Sequence, residues 1–275
     1  MDQVMMDRSA MDQAEGLRRL FRAAPPEMLA VLPCGTVTTP WVASQLRARA
    51  LAGRQVLALD EWQACGNLAD CLGASPRFDL LQAVEGQVGE AQCVLEVMPG
   101  LRLAQVGRLV RALGSERVIT QRTLAQLQGL QAGCDEWLLL AQAGEMQTLS
   151  PLLLAAPRLA LVVDAQPKSV TTAWASLRRV AREVPQMAFS ICHAGEYDAQ
   201  TEAVLSSFCK LAASRLGVQV EQIGSLGEAL AMGSDARTAL ATFMQRLLQV
   251  CRNPAAKPFE TRFPASPASV RLSVP

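Results

Sequence analysis

Two periodicities alternate along the chain from about residue 28 to residue 250. Short segments that are apolar at nearly every position predict strands. They are MLAVL (28–32), QVLAL (55–59), VLEVM (94–98) or LRLAQV (101–106), RVIT (117–120), WLLLA (137–141), LALVV (159–163), MAFSIC (187–192) and VQVEQIG (218–224). Between them, apolar residues recur at helical spacing, which predicts helices over 40–52, 66–72, 78–86, 121–132, 148–155, 169–183, 198–216 and 236–251. Strands without a polar face, separated by helices, belong to a parallel sheet covered on both sides. The fold class expected is therefore α/β: a single doubly wound, mostly parallel sheet flanked by helices.

The last helical segment, ARTALATFMQRLLQVC, places Leu240, Phe243, Met244, Leu247, Leu248 and Cys251 on one stripe, with Arg237, Arg246 and Arg252 off it. The expectation is a helix packed on the sheet. A membrane-surface helix is the alternative, and the few basic residues argue against it. Beyond Asn253 the chain carries Pro254, Pro258, Pro264, Pro267 and Pro275 among Ala and Ser, a composition that does not support a packed core. Pro25-Pro26 closes off the N-terminal stretch. The organisation expected is a partner-binding segment at 1–25, an α/β domain at 26–252 and a flexible tail at 253–275.

Composition narrows the function classes. Half of the 275 residues are hydrophobic and 19% are charged, with a net charge of +1. That balance suits a packed domain and offers no strong field for nucleic acid or membrane. The start, MDQVMMDRSAMDQAEG, lacks the apolar core of a signal peptide, and the run PLLLAAPRLALVV is broken by Pro157 and Arg158. A cytoplasmic address follows as the expectation, with membrane contact at most indirect. The eight cysteines are scattered without a CxxC, and the one histidine, His193, stands beside Cys192. Neither a metal site nor a Cys/His or Ser/His nucleophile is expected from that arrangement.

One stretch invites a chemical question. LPCGTVTTPW (32–41) joins a predicted strand to a predicted helix, the place where α/β proteins cradle phosphate. A phosphate-binding loop of the Walker type uses several glycines and a lysine on the β/γ-phosphates. Here there is one glycine, Gly35, and no lysine.

The N-terminal stretch carries a second candidate. Asp12 with Glu15 three residues later is an Asp-type variant of the capping box, and Ala14, Leu17, Leu20 and Phe21 form one apolar stripe. Arg18, Arg19 and Arg22 flank it, with Gln13 in the first turn. A helix of about ten residues is marginal alone in water, so it is expected to fold in a partner's groove.

Four motifs carry a family resemblance. LALDEWQACGNLADCLGASPRFDLLQAVEG (57–86) has a strand ending in Asp60, then GNLADCLG, then Pro76-Arg77 and a helix. LVVDAQPKSVTTAWASLRRV (161–180) has Pro167, Ser169, Thr171 and Ala173 after a strand. LGVQVEQIGSL (216–226) matches a late strand, and DQAEGLRRLF (12–21) matches a DQAxGLR motif. The chain resembles the MinD-like ATPases, a P-loop fold of the SIMIBI class, and within them the bacterial flagellar-number regulators of the FlhG/FleN type. ParA-type partition proteins share the core but not the N-terminal motif.

The resemblance implies a degenerate nucleotide site. The family's phosphate loop falls on Leu32 to Thr39, its two lysines on Pro33 and Thr38. Its glycines fall on Leu32, Cys34, Gly35 and Val37. Thr39 keeps a hydroxyl at the magnesium position. The Walker B aspartate falls near Ala141, and the adenine-contacting asparagine on Cys192. Of two acidic residues after the second strand, Asp60 remains and Trp62 replaces the other. This implies a pseudo-ATPase with no cofactor and no metal, because triphosphate chemistry rests on charge neutralisation. In the family the N-terminal motif, here Asp12, Gln13, Ala14, Gly16, Leu17 and Arg18 followed by Leu20 and Phe21, engages the SRP-type GTPase FlhF and stimulates its GTP hydrolysis. The implied protein is a monomeric regulator of flagellar number or placement, recruited to the flagellated pole through that partner. Flagellar switch or transcription-regulator proteins are further partners. A working ATPase with an unusual loop, or a pure scaffold without the GTPase contact, are the alternatives.

Overall fold

In the computed structural model, which describes residues 25–113, 117–142, 149–232 and 236–252, the apolar runs assemble into one eight-stranded sheet. The strands are β1 (Glu27–Pro33), β2 (Val56–Asp60), β3 (Val94–Met98), β4 (Leu101–Gln105), β5 (Glu136–Leu140), β6 (Arg158–Val163), β7 (Ala188–His193) and β8 (Val220–Gln222). Their spatial order is β3-β4-β2-β5-β1-β6-β7-β8. All pairings are parallel except β3 with β4. The two candidates at 94–98 and 101–106 are thus both strands, joined as an antiparallel edge hairpin. Its turn runs through Gly100, which has φ +85° and packs against the Arg54 carbonyl, where a side chain would be strained and crowded.

Eleven helices connect the strands among the described residues: α1 (Thr38–Leu51), α2 (Leu68–Leu72), α3 (Leu80–Val84), α4 (Glu90–Cys93), α5 (Gly107–Ala112), α6 (Arg117–Gly129), α7 (Pro151–Ala155), α8 (Pro167–Glu183), α9 (Ala199–Leu216), α10 (Leu226–Ala231) and α11 (Ala236–Arg252). They cover both faces, as the apolar strands require. On β1, Met28, Ala30 and Leu32 point into one layer of the core and Leu29 and Val31 into the other. α1, α2 and α10 cover the second layer, and α3, α6, α7, α8, α9 and α11 the first.

One sequence expectation is corrected and one alternative falls. RVIT is not a strand; it is the start of α6. β-branched residues favour strands only where a pleated neighbour awaits them. Here β5 inserts between β2 and β1 and needs a helical crossover from β4. Thr120, Thr123, Leu124 and Leu127 accordingly form a buried helical stripe. The membrane-surface alternative for α11 also falls. Leu240, Phe243 and Leu247 are buried, with Phe243 and Leu247 at 0% exposure, and the helix packs on α7, α6 and β1. The short helices α4, α5 and α10 were not foreseen; one or two turns leave too few apolar positions for a period.

Candidate phosphate-loop site

The loop in question leaves β1 after Pro33 and enters α1 at Thr38. The Cys34 amide continues the ladder to the Val162 carbonyl of β6 at 2.9 Å. The Thr38 hydroxyl donates to the Gly35 carbonyl at 2.6 Å and accepts from the Gly35 amide at 3.2 Å. Thr38 and Thr39 are both buried, and the Thr38 hydroxyl serves the loop. The turn is closed by its own side chains, at a helix end where the backbone carries partial positive charge.

What faces that end is an acid. Asp164, directly after β6, is 5% exposed and lies against Gly35, where a Cβ would overlap its carboxylate. Gly35 is therefore needed for close approach and has no positive φ to accommodate. The Asp164 amide donates to Ser169 Oγ at 2.9 Å, and the Gln166 amide donates to Asp164 Oδ1 at 3.0 Å. Oδ2 is buried without a hydrogen-bond partner. Burial, reinforced by Asp164, pushes the Cys34 thiol up to about 12. Burial, with Cys34 next, does the same to Cys192 on β7. Both are inert neutral thiols at physiological pH.

On the other side of β1, the acidic end of β2 is taken up by capping. Asp60, at 0% exposure, accepts from the Trp62 amide at 2.9 Å, the Leu68 amide at 3.0 Å and Gln105 Nε2 at 3.1 Å. Its carboxyl is raised to about 6 by burial, against the lowering effect of those donors. Glu61 accepts from Ser150 Oγ and from the Gln142 amide at 3.2 Å. Burial raises it to about 7. Ser150 in turn accepts from the Leu152 and Leu153 amides and caps α7. Ala141, 1% exposed, follows β5 with its amide on the Val31 carbonyl at 2.9 Å.

The structure thus gathers Pro33, Cys34, Gly35, Thr38 and Thr39 in one turn. Asp60, Ala141 and Cys192 stand at the same carboxyl end of the sheet, where ligands of open α/β folds bind. No lysine or arginine belongs to the loop 32–41. Among the described residues no cluster of three or more His, Cys, Asp or Glu could hold a metal ion. Asp12, Gln13, Ala14, Gly16, Leu17, Arg18, Leu20 and Phe21 lie outside the described residues. Sequence reasoning missed Asp164 and Glu61. A signal for each existed: an acidic residue immediately after an apolar strand, beside residues already singled out.

Solved structures of similar shape place the fold. MinD cell division protein of Aquifex aeolicus superposes with a TM-score of 0.52 at 18% identity, over 81% of this chain and 97% of that one. McdA of Cyanothece, solved with ATP, matches at 0.50 and 15% identity, over 86% and 98%. The chain has the fold of the MinD and ParA-type ATPases. Cobyrinic acid a,c-diamide synthase of Mycobacterium smegmatis, solved with ADP and magnesium, shares it at 0.50 and 18% identity, over 84% and 96%. At these identities the likeness is one of fold. No protein-family profile matches the sequence, and no curated protein does.

Proposed function

We propose that the chain is a flagellar regulator of the FlhG type that has given up ATP hydrolysis and acts on the GTPase FlhF through its N-terminal segment. The observation that carries this reading is the DQAEGLR segment (12–18) ahead of a MinD-like domain whose phosphate loop lacks lysine. The geometry supports the second half. Nucleotide phosphates need cationic neutralisation, and the turn at Gly35 presents two buried threonines and an aspartate instead. The first half rests on the motif. Pro25-Pro26 lets residues 1–25 act as a tethered arm, and Leu17, Leu20 and Phe21 are its apolar anchors, each contributing about 1.5–3 kcal/mol when buried. Gln13 has the chemistry to orient an attacking water.

The test is the GTP turnover of FlhF with the full-length chain, with a chain lacking residues 1–25, and with residues 1–25 as a peptide. The full-length protein and the peptide are expected to raise the rate, and the truncated chain is not. Leu17→Ala weakens binding by roughly 10- to 150-fold, from the burial energy just given. Gln13→Ala lowers the stimulated rate with less effect on affinity. Unchanged turnover with GTP-bound FlhF removes the reading in favour of a scaffold without GTPase contact.

A further inference from the structure

We propose that Asp164 is an internal occupant of the anion cradle: its carboxylate lies against Gly35 where a bound phosphate or sulfate would lie, and it closes the loop from within. Three observations carry this. α1 is a 14-residue helix, long enough for its first turn to attract an anion. Asp164 is buried against Gly35, just ahead of that turn; the Gln166 amide holds its Oδ1, while its Oδ2 has no hydrogen-bond partner and is kept there by the fold. Finally, Gly35 is the residue that lets the carboxylate in, because any side chain there would overlap it.

The contact is built from both sides. Asp164 is pinned by the turn into α8, through the Gln166 amide on Oδ1 and its own amide on Ser169 Oγ. Gly35 is pinned by Thr38 and, one residue earlier, by the bond from Cys34 to Val162. A tethered carboxylate competes with any free anion at high effective concentration, and its charge repels a second anion. The device excludes phosphate independently of the missing lysines, so it goes beyond the loss of charge neutralisation.

Sulfate is the probe, read by calorimetry and by the rise in unfolding temperature on the full chain. Asp164→Ala is expected to bind sulfate at least tenfold more tightly than the wild type. Asp164→Ser, which removes the charge and shortens the side chain, moves in the same direction and serves if the alanine variant does not fold. Equal sulfate responses in wild type and variants, whether both bind or neither does, overturn the proposal. A second measurement addresses the contact itself. Gly35→Ala should lower the unfolding midpoint in the wild type and be nearly silent in the Asp164→Ala background; additive effects overturn it too. Neither measurement involves nucleotide, so their failure is distinct from any finding that the wild type binds MgATP.

Discussion

Asp60 and Glu61 show how one strand end sets a titration. Their ordinary carboxyl values are 3.8 and 4.5, and burial lifts them to about 6 and about 7. The folded state therefore holds protons that the unfolded state releases at lower pH. Unfolding free energy falls as pH rises through that window. The stabilisation is complete below about pH 4 and lost by about pH 7 to 8. For Glu61 alone the span corresponds to roughly 3 kcal/mol as an order of magnitude. Urea midpoints at pH 5 and pH 8 test it: Glu61→Gln is expected to shrink the drop between them. A variant with an unchanged drop would assign the pH dependence elsewhere. The position of Glu61 after an apolar strand was legible, but its role was not, because its partners, Ser150 and Gln142, lie more than 80 residues away.

At the scale of elements, one side chain holds two short helices together. Asp79 caps α3 by accepting from the Leu81 amide at 3.0 Å, with Gln82 completing the capping box. The same carboxylate accepts from the Arg108 and Leu109 amides at 2.8 and 3.1 Å, at the start of α5. α3 and α5 span 5 and 6 residues, too short to persist on their own hydrogen bonds. Asp79→Ala leaves three amides without acceptors in a buried place, and the expected loss is about 2–4 kcal/mol from capping and desolvation together. Chemical denaturation measures it, and a loss under 1 kcal/mol would mean that water replaces the carboxylate. This cap also explains why α5 escaped sequence reading: its acceptor, Asp79, lies 29 residues before Arg108, whereas α10 is capped locally by Ser225, whose hydroxyl accepts from the Glu228 amide.

For the whole molecule the expectation concerns nucleotide and assembly. A ligand shifts a monomer–dimer equilibrium only through differential affinity for the two states. On the proposal that Asp164 closes the lysine-free loop, ATP is expected to have no such leverage on this chain. Calorimetry with millimolar MgATP is expected to show no binding tighter than about 100 μM, roughly −5.5 kcal/mol. Light scattering is expected to give the same mass with and without ATP. A mass increase on adding ATP would restore the active-ATPase reading. No helix among the described residues is long and apolar enough to cross a membrane.

What the sequence determined by itself is local. Apolar runs located β1, β2 and β5 to β7 within two residues or so, because a strand buried on both faces has no polar position to disguise it. The absence of lysine from 32–41 and the spacing of DQAEGLR are likewise facts of the chain alone. The tertiary structure decided what touches what. Placing β1 between β5 and β6 brings Asp164 onto Gly35 across 129 positions of chain, a contact with no periodic trace. The same sheet order demands a crossover between β4 and β5, and so turns the strand-like RVIT into the first turn of a helix. Periodicity reports how each residue meets the core; which residues share a site depends on strand order, which no single segment encodes.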